Sequence, residues 1–256
     1  MLTQERHEEI CRIVNDKKAV TVTELVKLLG SSESTIRRDL NYLHDKGKIK
    51  KVHGGATSLI NNYTTREDTV DEKALLHMEE KEKIGRYAAS LIEPGELIYI
   101  DAGTTTGCLV SNIKDKDCIY VTNGISHAKL LGQMGCRVFV IPGTIRGCTE
   151  AIIGGEANDY LMRYNFTKGF FGVNGISLEN GLTTPDPDEA RTKTAAMSRC
   201  KQCYVLADSS KFRIVTAVTF GQPEDARIIT TTLEEKQFKL KTEIVEVDQY
   251  DLYSHI

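Results

Sequence analysis

The sequence predicts an α/β protein in two parts: a small N-terminal head of three helices and a β-hairpin, then a larger body whose strands form a mainly parallel sheet. Three observations predict it. Charge divides the chain, because residues 1–56 hold eleven Lys and Arg against eight Asp and Glu, a net +3, which leaves −6 for the remainder of a chain that totals −3. Apolar residues recur at helical spacing before residue 46. From Lys81 onward, helical patterns alternate with short apolar strands, as expected of a sheet covered by helices on both faces.

The composition sets the class. With 256 residues, 40% of them hydrophobic and 27% charged, and only 5 prolines, the chain has the makeup of a globular protein of one large or two smaller domains, not a disordered or fibrous one. No stretch is apolar for long enough to span a bilayer, and residues 1–14 form a charged amphipathic pattern rather than a signal peptide, so the expected location is the cytoplasm with no membrane partner. Seven cysteines, an odd number without tight pairing, fit a reducing compartment and packing roles. Cys200 and Cys203 form a lone C-x-x-C, but no second pair or zinc-spaced histidines accompany it, so no metal or cofactor is assigned.

The first helix is predicted from about Gln4 to Val14, with Ile10, Ile13 and Val14 as its apolar stripe. Thr21 and Glu24 form a capping box opening a second helix, whose Leu25, Leu28 and Leu29 face inward until Gly30 ends it. Ser32 caps a third helix with Ile36, Leu40 and Leu43 on its core face. Ser34, Arg38 and Asn41 point the other way with Arg37 beside them. Arginine suits guanine edges, asparagine adenine, and hydroxyls either, so this face is suited to reading DNA. Residues 48–56, Lys-Ile-Lys-Lys-Val-His-Gly-Gly-Ala, alternate apolar and basic before a double glycine, which predicts a hairpin whose Lys50, Lys51, His53 and Gly54 lie along a DNA backbone or minor groove. A charged surface helix alone is usually only a solvated face, but helix and hairpin in tandem make a recognition helix and a wing.

These stretches, Glu24-Leu25, Ser34-Thr-Ile-Arg-Arg-Asp-Leu40, Leu43, Gly47 and His53-Gly-Gly-Ala56, resemble the winged helix-turn-helix signature of the DeoR family. The resemblance implies that Ser34, Thr35, Arg37 and Arg38 engage double-stranded operator DNA, with the wing nearby. Residues 1–57 are accordingly expected to form the DNA-binding domain, 58–79 a linker carrying Asn61, Asn62, Thr64 and Thr65, and 80–256 an effector-binding and oligomerisation domain.

In the body a helix carries Ile84, Ala88, Leu91 and Ile92, and strands are predicted at 96–100, 119–122, 137–141, 167–173, 203–207 and 227–230. Ligands of open α/β sheets collect beyond the carboxyl ends of the strands. There the chain places Asp101, Gly103, Thr104, Thr105 and Thr106 at a helix N-terminus suited to an anion, then Thr122-Asn123-Gly124, Asn174-Gly175, Glu189 with Lys193 one turn on, and Asp208 with Lys211. Each loop alone is explained by capping. Together they are suited to a phosphate on the threonine loop and Lys211, with sugar hydroxyls on Asp101, Asn123 and Glu189.

The stretches 100–106, 121–124, 171–175, 189–193 and 208–212 also resemble the DeoR-type effector domain, which is similar to sugar-phosphate isomerases of the ribose-5-phosphate isomerase kind. The resemblance implies a sugar-phosphate inducer. Gly143-Thr-Ile-Arg146 departs from the adjacent glycines common in the family. The expectation is a non-enzymatic, ligand-controlled repressor, a homodimer or homotetramer. The other possibilities are an active sugar-phosphate isomerase with a DNA-binding appendage, in which Asp101 and Glu189 relay protons, or an activator. Residues 172–178 and 181–186 look most like members controlling fructose use, which points to fructose 1-phosphate.

Overall fold

The computed structural model describes residues 3–17, 19–58, 63–64, 69–233 and 236–249. The chain divides into two compact units, residues 1–62 and 63–256. In the first, helices α1 (Thr3–Lys17), α2 (Val22–Leu29) and α3 (Glu33–Asp45) accompany strands β1 (Ala19–Thr21), β2 (Lys50–Val52) and β3 (Gly55–Thr57). Ile10, Ile13, Val14, Leu25, Ile36, Leu40 and Leu43 form its core with Val20, Val22, Ile49 and Ala56. The capping box is present: Thr21 N–H donates to Glu24 Oε2 at 2.9 Å and Glu24 N–H to Thr21 Oγ1 at 3.2 Å.

Gly30 ends α2 in the left-handed region at φ 61°. Leu28, expected inward, is 54% exposed. Val22, Leu25, Val26 and Leu29 define the face that packs, and at about 100° per residue Leu28 lies roughly 110° from its centre. The expected hairpin is a three-stranded antiparallel sheet in the order β1-β3-β2. Its two glycines serve different ends. Gly54 takes φ 81° in the turn, whereas a Cβ on Gly55 would stand 2.2 Å from the Val20 carbonyl oxygen.

The second unit is built on seven parallel strands in the spatial order Ile244–Glu246, Arg227–Thr230, Cys200–Leu206, Phe166–Gly172, Leu97–Ile100, Ile119–Thr122 and Arg137–Val140. Alternation along the strands feeds two cores. Tyr99, Val121, Phe171, Val205 and Ile228 point to one, with Ala157, Leu161, Ala190 and Ala196 from helices. Ile98, Ile100, Tyr120, Phe170, Tyr204 and Ile229 point to the other, with Ile84, Ala88, Leu109 and Leu131. Both faces of the sheet are therefore covered, and its strands need little polar character. The strand Ile244–Glu246 escaped the sequence reading because three residues show no period.

Chain order reverses between Leu97–Ile100 and Phe166–Gly172, so the loops after these two neighbours part to opposite sides and leave a crevice. The expected linker is shorter than residues 58–79. Tyr63–Thr64 pairs with Val215–Thr216, Val70–Leu75 is a helix behind a Thr69–Glu72 capping box, and Met78–Ser90 begins before residue 80. Asn61, Asn62 and Thr65 lie outside the described residues. Gly143, at φ 145°, brings its backbone so close to Ile153 that a Cβ would meet that carbonyl oxygen at 2.5 Å, and Thr144–Arg146 then pairs antiparallel with Ala151–Ile153.

Candidate functional site

Two sites follow, one on each unit. On the head, the Ser32 hydroxyl accepts from Thr35 N–H at 3.2 Å and lies 3.0 Å from Ser34 Oγ and 2.8 Å from Thr35 Oγ1, which ties the hydroxyls together at the start of α3. Arg37 and Arg38 are exposed one turn later. Arg37 donates to Glu33 Oε1 at 2.6 and 2.9 Å. An exposed i,i+4 pair contributes about 0.3–0.5 kcal/mol, so the guanidinium is readily released to another anion. Lys51 reaches back from the hairpin to donate to Asn41 Oδ1 at 2.6 Å. Arg37, Lys51, His53 and Gly54 border one cavity of about 200 Å³ between α3 and the hairpin. Ser34, Asn41 and Lys50 are exposed on the same elements.

Asp39, between the two arginines and the asparagine, turns inward instead. It is 4% exposed and accepts from Arg6 Nε at 2.6 Å, with His7 Nε2 at 2.9 Å. Burial pushes its pKa up, but the hydrogen bonds from Arg6 and His7 outweigh that and hold it below the ordinary value. Sequence periodicity missed this residue, since a core-facing aspartate looks like another surface charge.

In the body a cavity of about 210 Å³ opens where the strand order reverses. Lys73, Lys81, Lys193 and Lys211 line it, and Glu189 is the carboxylate among its described lining residues. Asp101 lies beneath: Lys193 Nζ donates to its Oδ2 and to Gly172 O at 3.1 Å, and Gly172 N–H donates to the same Oδ2 at 3.0 Å. The pair bridges the two strands at the reversal. Glu189 accepts from Thr149 Oγ1 at 2.6 Å, Thr184 Oγ1 at 3.3 Å and Arg146 Nη1 at 3.3 Å. Lys81 is 2% exposed. Burial lowers its pKa, Asp208 opposes that and the Lys211 charge adds to it.

Of the expected effector residues, Gly103, Thr104, Thr105, Asn174, Glu189, Lys193 and Lys211 border this space. The others have framework roles. Thr106 Oγ1 donates to Gly103 O at 3.0 Å inside its own helix turn, and Thr122 Oγ1 accepts from Gly124 N–H at 3.0 Å. Asn123 Oδ1 accepts from Ala102 N–H at 2.7 Å, which pins the threonine loop to the next strand. Gly175 is needed because a Cβ there would meet Ile214 O at 2.4 Å. Asp208 accepts from Ser210 N–H at 3.1 Å as a local cap. Sugar hydroxyls on Asp101 and Asn123 are therefore replaced by partners within the protein.

Lys73 and Lys81 were missed, because they lie in or beside the stretch read as a linker. The Thr69–Glu72 capping box was the signal that a helix began there. Also missed was His127, which is 5% exposed beneath the threonine loop with Nε2 3.0 Å from Gly103 O, and whose pKa burial lowers. Glu80 was missed too: it accepts from Ser209 N–H at 2.9 Å and Thr231 Oγ1 at 2.9 Å, and so anchors the loop that carries Lys211.

Cys200 and Cys203 are free thiols, packed against the core and hydrogen-bonded to the carbonyls of Ala196 and Met197. Among the described residues no cluster of three His, Cys, Asp or Glu is arranged to hold a metal, and no helix is long and apolar enough to cross a membrane.

An arginine-bearing recognition helix with a wing on one unit, and a lysine-lined cavity at a strand-order reversal on the other, are the parts of a transcription regulator that carries a sensor. Comparison with known proteins agrees in both halves. Residues 6–61 match the DeoR-like helix-turn-helix domain, and residues 76–232 match the DeoR C terminal sensor domain. The chain is 43% identical over 239 residues, 93% of its length and 94% of the other's, to an uncharacterized HTH-type transcriptional regulator FruR of Bacillus subtilis. It is 34% identical to a lactose phosphotransferase system repressor of Staphylococcus aureus, over 97% of this chain and 100% of that one.

Ribose 5-phosphate isomerase a from Methanocaldococcus jannaschii aligns over 53% of this chain and 54% of that one, with TM-score 0.40 and 15% identity, a likeness too slight to carry function. The chain belongs to the DeoR family of transcriptional regulators. It is a DNA-binding regulator and not an enzyme.

Proposed function

We propose that this regulator represses a carbohydrate-utilisation operon and is released from its operator by a phosphorylated sugar, with fructose 1-phosphate the first candidate. The observation that carries the reading is that four lysines line one cavity of about 210 Å³, together with the N-terminus of the helix Thr104–Ser111. Counting the buried Asp101 and Asp208 beside it, four lysines face three carboxylates, an excess that suits a phosphate anion. Glu189 and Asn174 add acceptors for hydroxyls. The volume lies below the roughly 300–1,000 Å³ of drug-sized pockets, which favours a compact metabolite. Fructose 1-phosphate is preferred on the residues at 172–178 and 181–186.

In this mechanism Ser34, Thr35, Arg37, Arg38 and Asn41 on α3 meet the operator's major groove, and Lys50, Lys51, His53 and Gly54 lie along its backbone. A homodimer or homotetramer grips repeated half-sites in the cytoplasm, and no cofactor beyond the effector is required. The effector must prefer the released state by a few kcal/mol, since equal affinity for both states shifts nothing.

Fluorescence anisotropy of the full chain on DNA upstream of its own gene, at fixed salt and titrated with a panel of sugar phosphates, tests the reading. Release by fructose 1-phosphate is expected, with Lys211→Ala blocking release while operator affinity persists. Tight binding that no sugar phosphate relieves sinks the effector assignment; failure to bind above the non-specific level sinks the repressor reading.

A further inference from the structure

On the reading that the body cavity takes a phosphorylated sugar, we propose that Lys81 receives the effector's anionic group and thereby lets go of the carbonyls that end the helix Val70–Leu75. Occupancy is then passed to the segment that follows the DNA-binding unit in the chain.

Lys81 lies in the first turn of Met78–Ser90 and borders the cavity, yet its ammonium is turned to two neutral acceptors. Nζ donates to Leu76 O at 2.6 Å and to Lys73 O. These carbonyls stand at the end of Val70–Leu75, where a cation favours the negative pole of the dipole; Lys73 O also receives Leu76 N–H at 3.3 Å, so the ammonium is its second donor. Lys81 thus caps a helix that belongs to another segment.

That helix is short and lies at the surface. None of its residues is buried, and Leu75 and the adjoining Leu76 are 83% and 52% exposed. Six residues are far below the length at which a helix persists unaided in water. Its other ties also border the ligand space. Val70 N–H donates to Cys148 O at 3.0 Å, next to the cavity residue Thr149. Upstream, Tyr63–Thr64 pairs with Val215–Thr216, and Thr216 and Ile214 line the same cavity.

The ammonium makes a charge-assisted hydrogen bond to either acceptor, but a phosphate oxygen adds the attraction of its own negative charge, which the carbonyls lack. The anion also offsets the positive charge that Lys211 and Lys73 place near the buried Lys81. Two of the three Lys81 N–H donors go to the carbonyls of residues 73 and 76, so an anion that takes two of them displaces at least one carbonyl. With that cap released, the helix frays from its C-terminal end.

Amide hydrogen exchange across residues 70–77 of the full chain, with calorimetric affinities for fructose 1-phosphate and inorganic phosphate, tests the proposal in wild type and Lys81→Met. In wild type, saturating fructose 1-phosphate should speed exchange at residues 73–77 by at least about threefold. Lys81→Met should exchange fast without the sugar phosphate, stay unmoved when it is added, and bind both probes at least about tenfold more weakly. Wild type that binds fructose 1-phosphate while exchange at 70–77 stays constant or slows overturns the relay and leaves the sugar-phosphate reading standing. Lys81→Met that binds both probes as tightly as wild type overturns the assignment to Lys81. If no sugar phosphate in a wider panel binds wild type, the effector reading fails, and this proposal with it. The wild-type exchange arm does not depend on how the variant folds.

Discussion

Asp101→Asn isolates the charge that joins the two halves of the sheet. Asp101 is 1% exposed and Lys193 5%. Asparagine has the same shape and keeps an oxygen for the Gly172 N–H, so the substitution removes the anion and little else. Lys193 is left buried with Gly172 O at 3.1 Å and the Phe220 ring, whose centroid lies 5.5 Å from Nζ. Removing one member of a buried pair costs about 3–5 kcal/mol; the retained carbonyl and the adjoining cavity put this case near the lower end, at about 3 kcal/mol. For a unit spanning residues 63–256, 1 kcal/mol corresponds to roughly 2–4 °C, so the Tm of the body should fall by about 6–12 °C.

The assay is thermal and urea unfolding of the full chain, with two probes to separate the transitions of head and body. Lys193→Met and the double variant complete a cycle. The double variant should cost less than the sum of the two singles by at least about 1.5 kcal/mol. A loss below about 1 kcal/mol in Asp101→Asn, or a coupling near zero, would refute the view that this pair clamps the reversal.

Arg37→Ala should weaken operator binding by about 10- to 100-fold, as expected for loss of a bidentate base contact, with unchanged calorimetric affinity for fructose 1-phosphate; a variant that loses both with its fold intact contradicts the separation of the two sites. Gly55→Ala should destabilise the head by about 1–3 kcal/mol, because the Val20 carbonyl stands 2.2 Å from the new Cβ, and urea unfolding of the head reads it directly. The Asp39 pKa is held below its unfolded value, so its stabilisation is complete above the unfolded pKa of about 4 and is lost as pH falls through the folded one. Acid unfolding of the head should accordingly lose part of its pH dependence in Asp39→Asn, which should also be less stable at pH 7. An acid limb identical to wild type would show that the Arg6 and His7 contacts contribute nothing.

The head was largely legible because its determinants are local. Caps at Thr21 and Ser32, the stop at Gly30 and the stripe Ile36, Leu40, Leu43 all act within one or two turns, and the structure keeps each of them. Leu28 failed because a stripe of three leucines fits two helix faces, and only packing against α3 and the strands β1 and β3 chooses between them. Asp39 was illegible for a similar reason, since its partners Arg6 and His7 are 33 and 32 residues away.

By itself the sequence determined that the body alternates strand and helix, and that Gly, Thr, Asn, Asp and Lys gather after the strands. Period and capping are properties of short stretches, so they survive without knowledge of the rest. Which of those residues border the cavity was decided only by tertiary structure. The reversal of strand order brings the loop after Ile100 against Gly172 and Lys193, turns Asp101, Asn123 and Asp208 into framework, and admits Lys73 and Lys81 from a stretch that looked like a linker. The reversal depends on one pairing, Leu97–Ile100 with Phe166–Gly172, across 70 residues, and nothing in a local pattern encodes it.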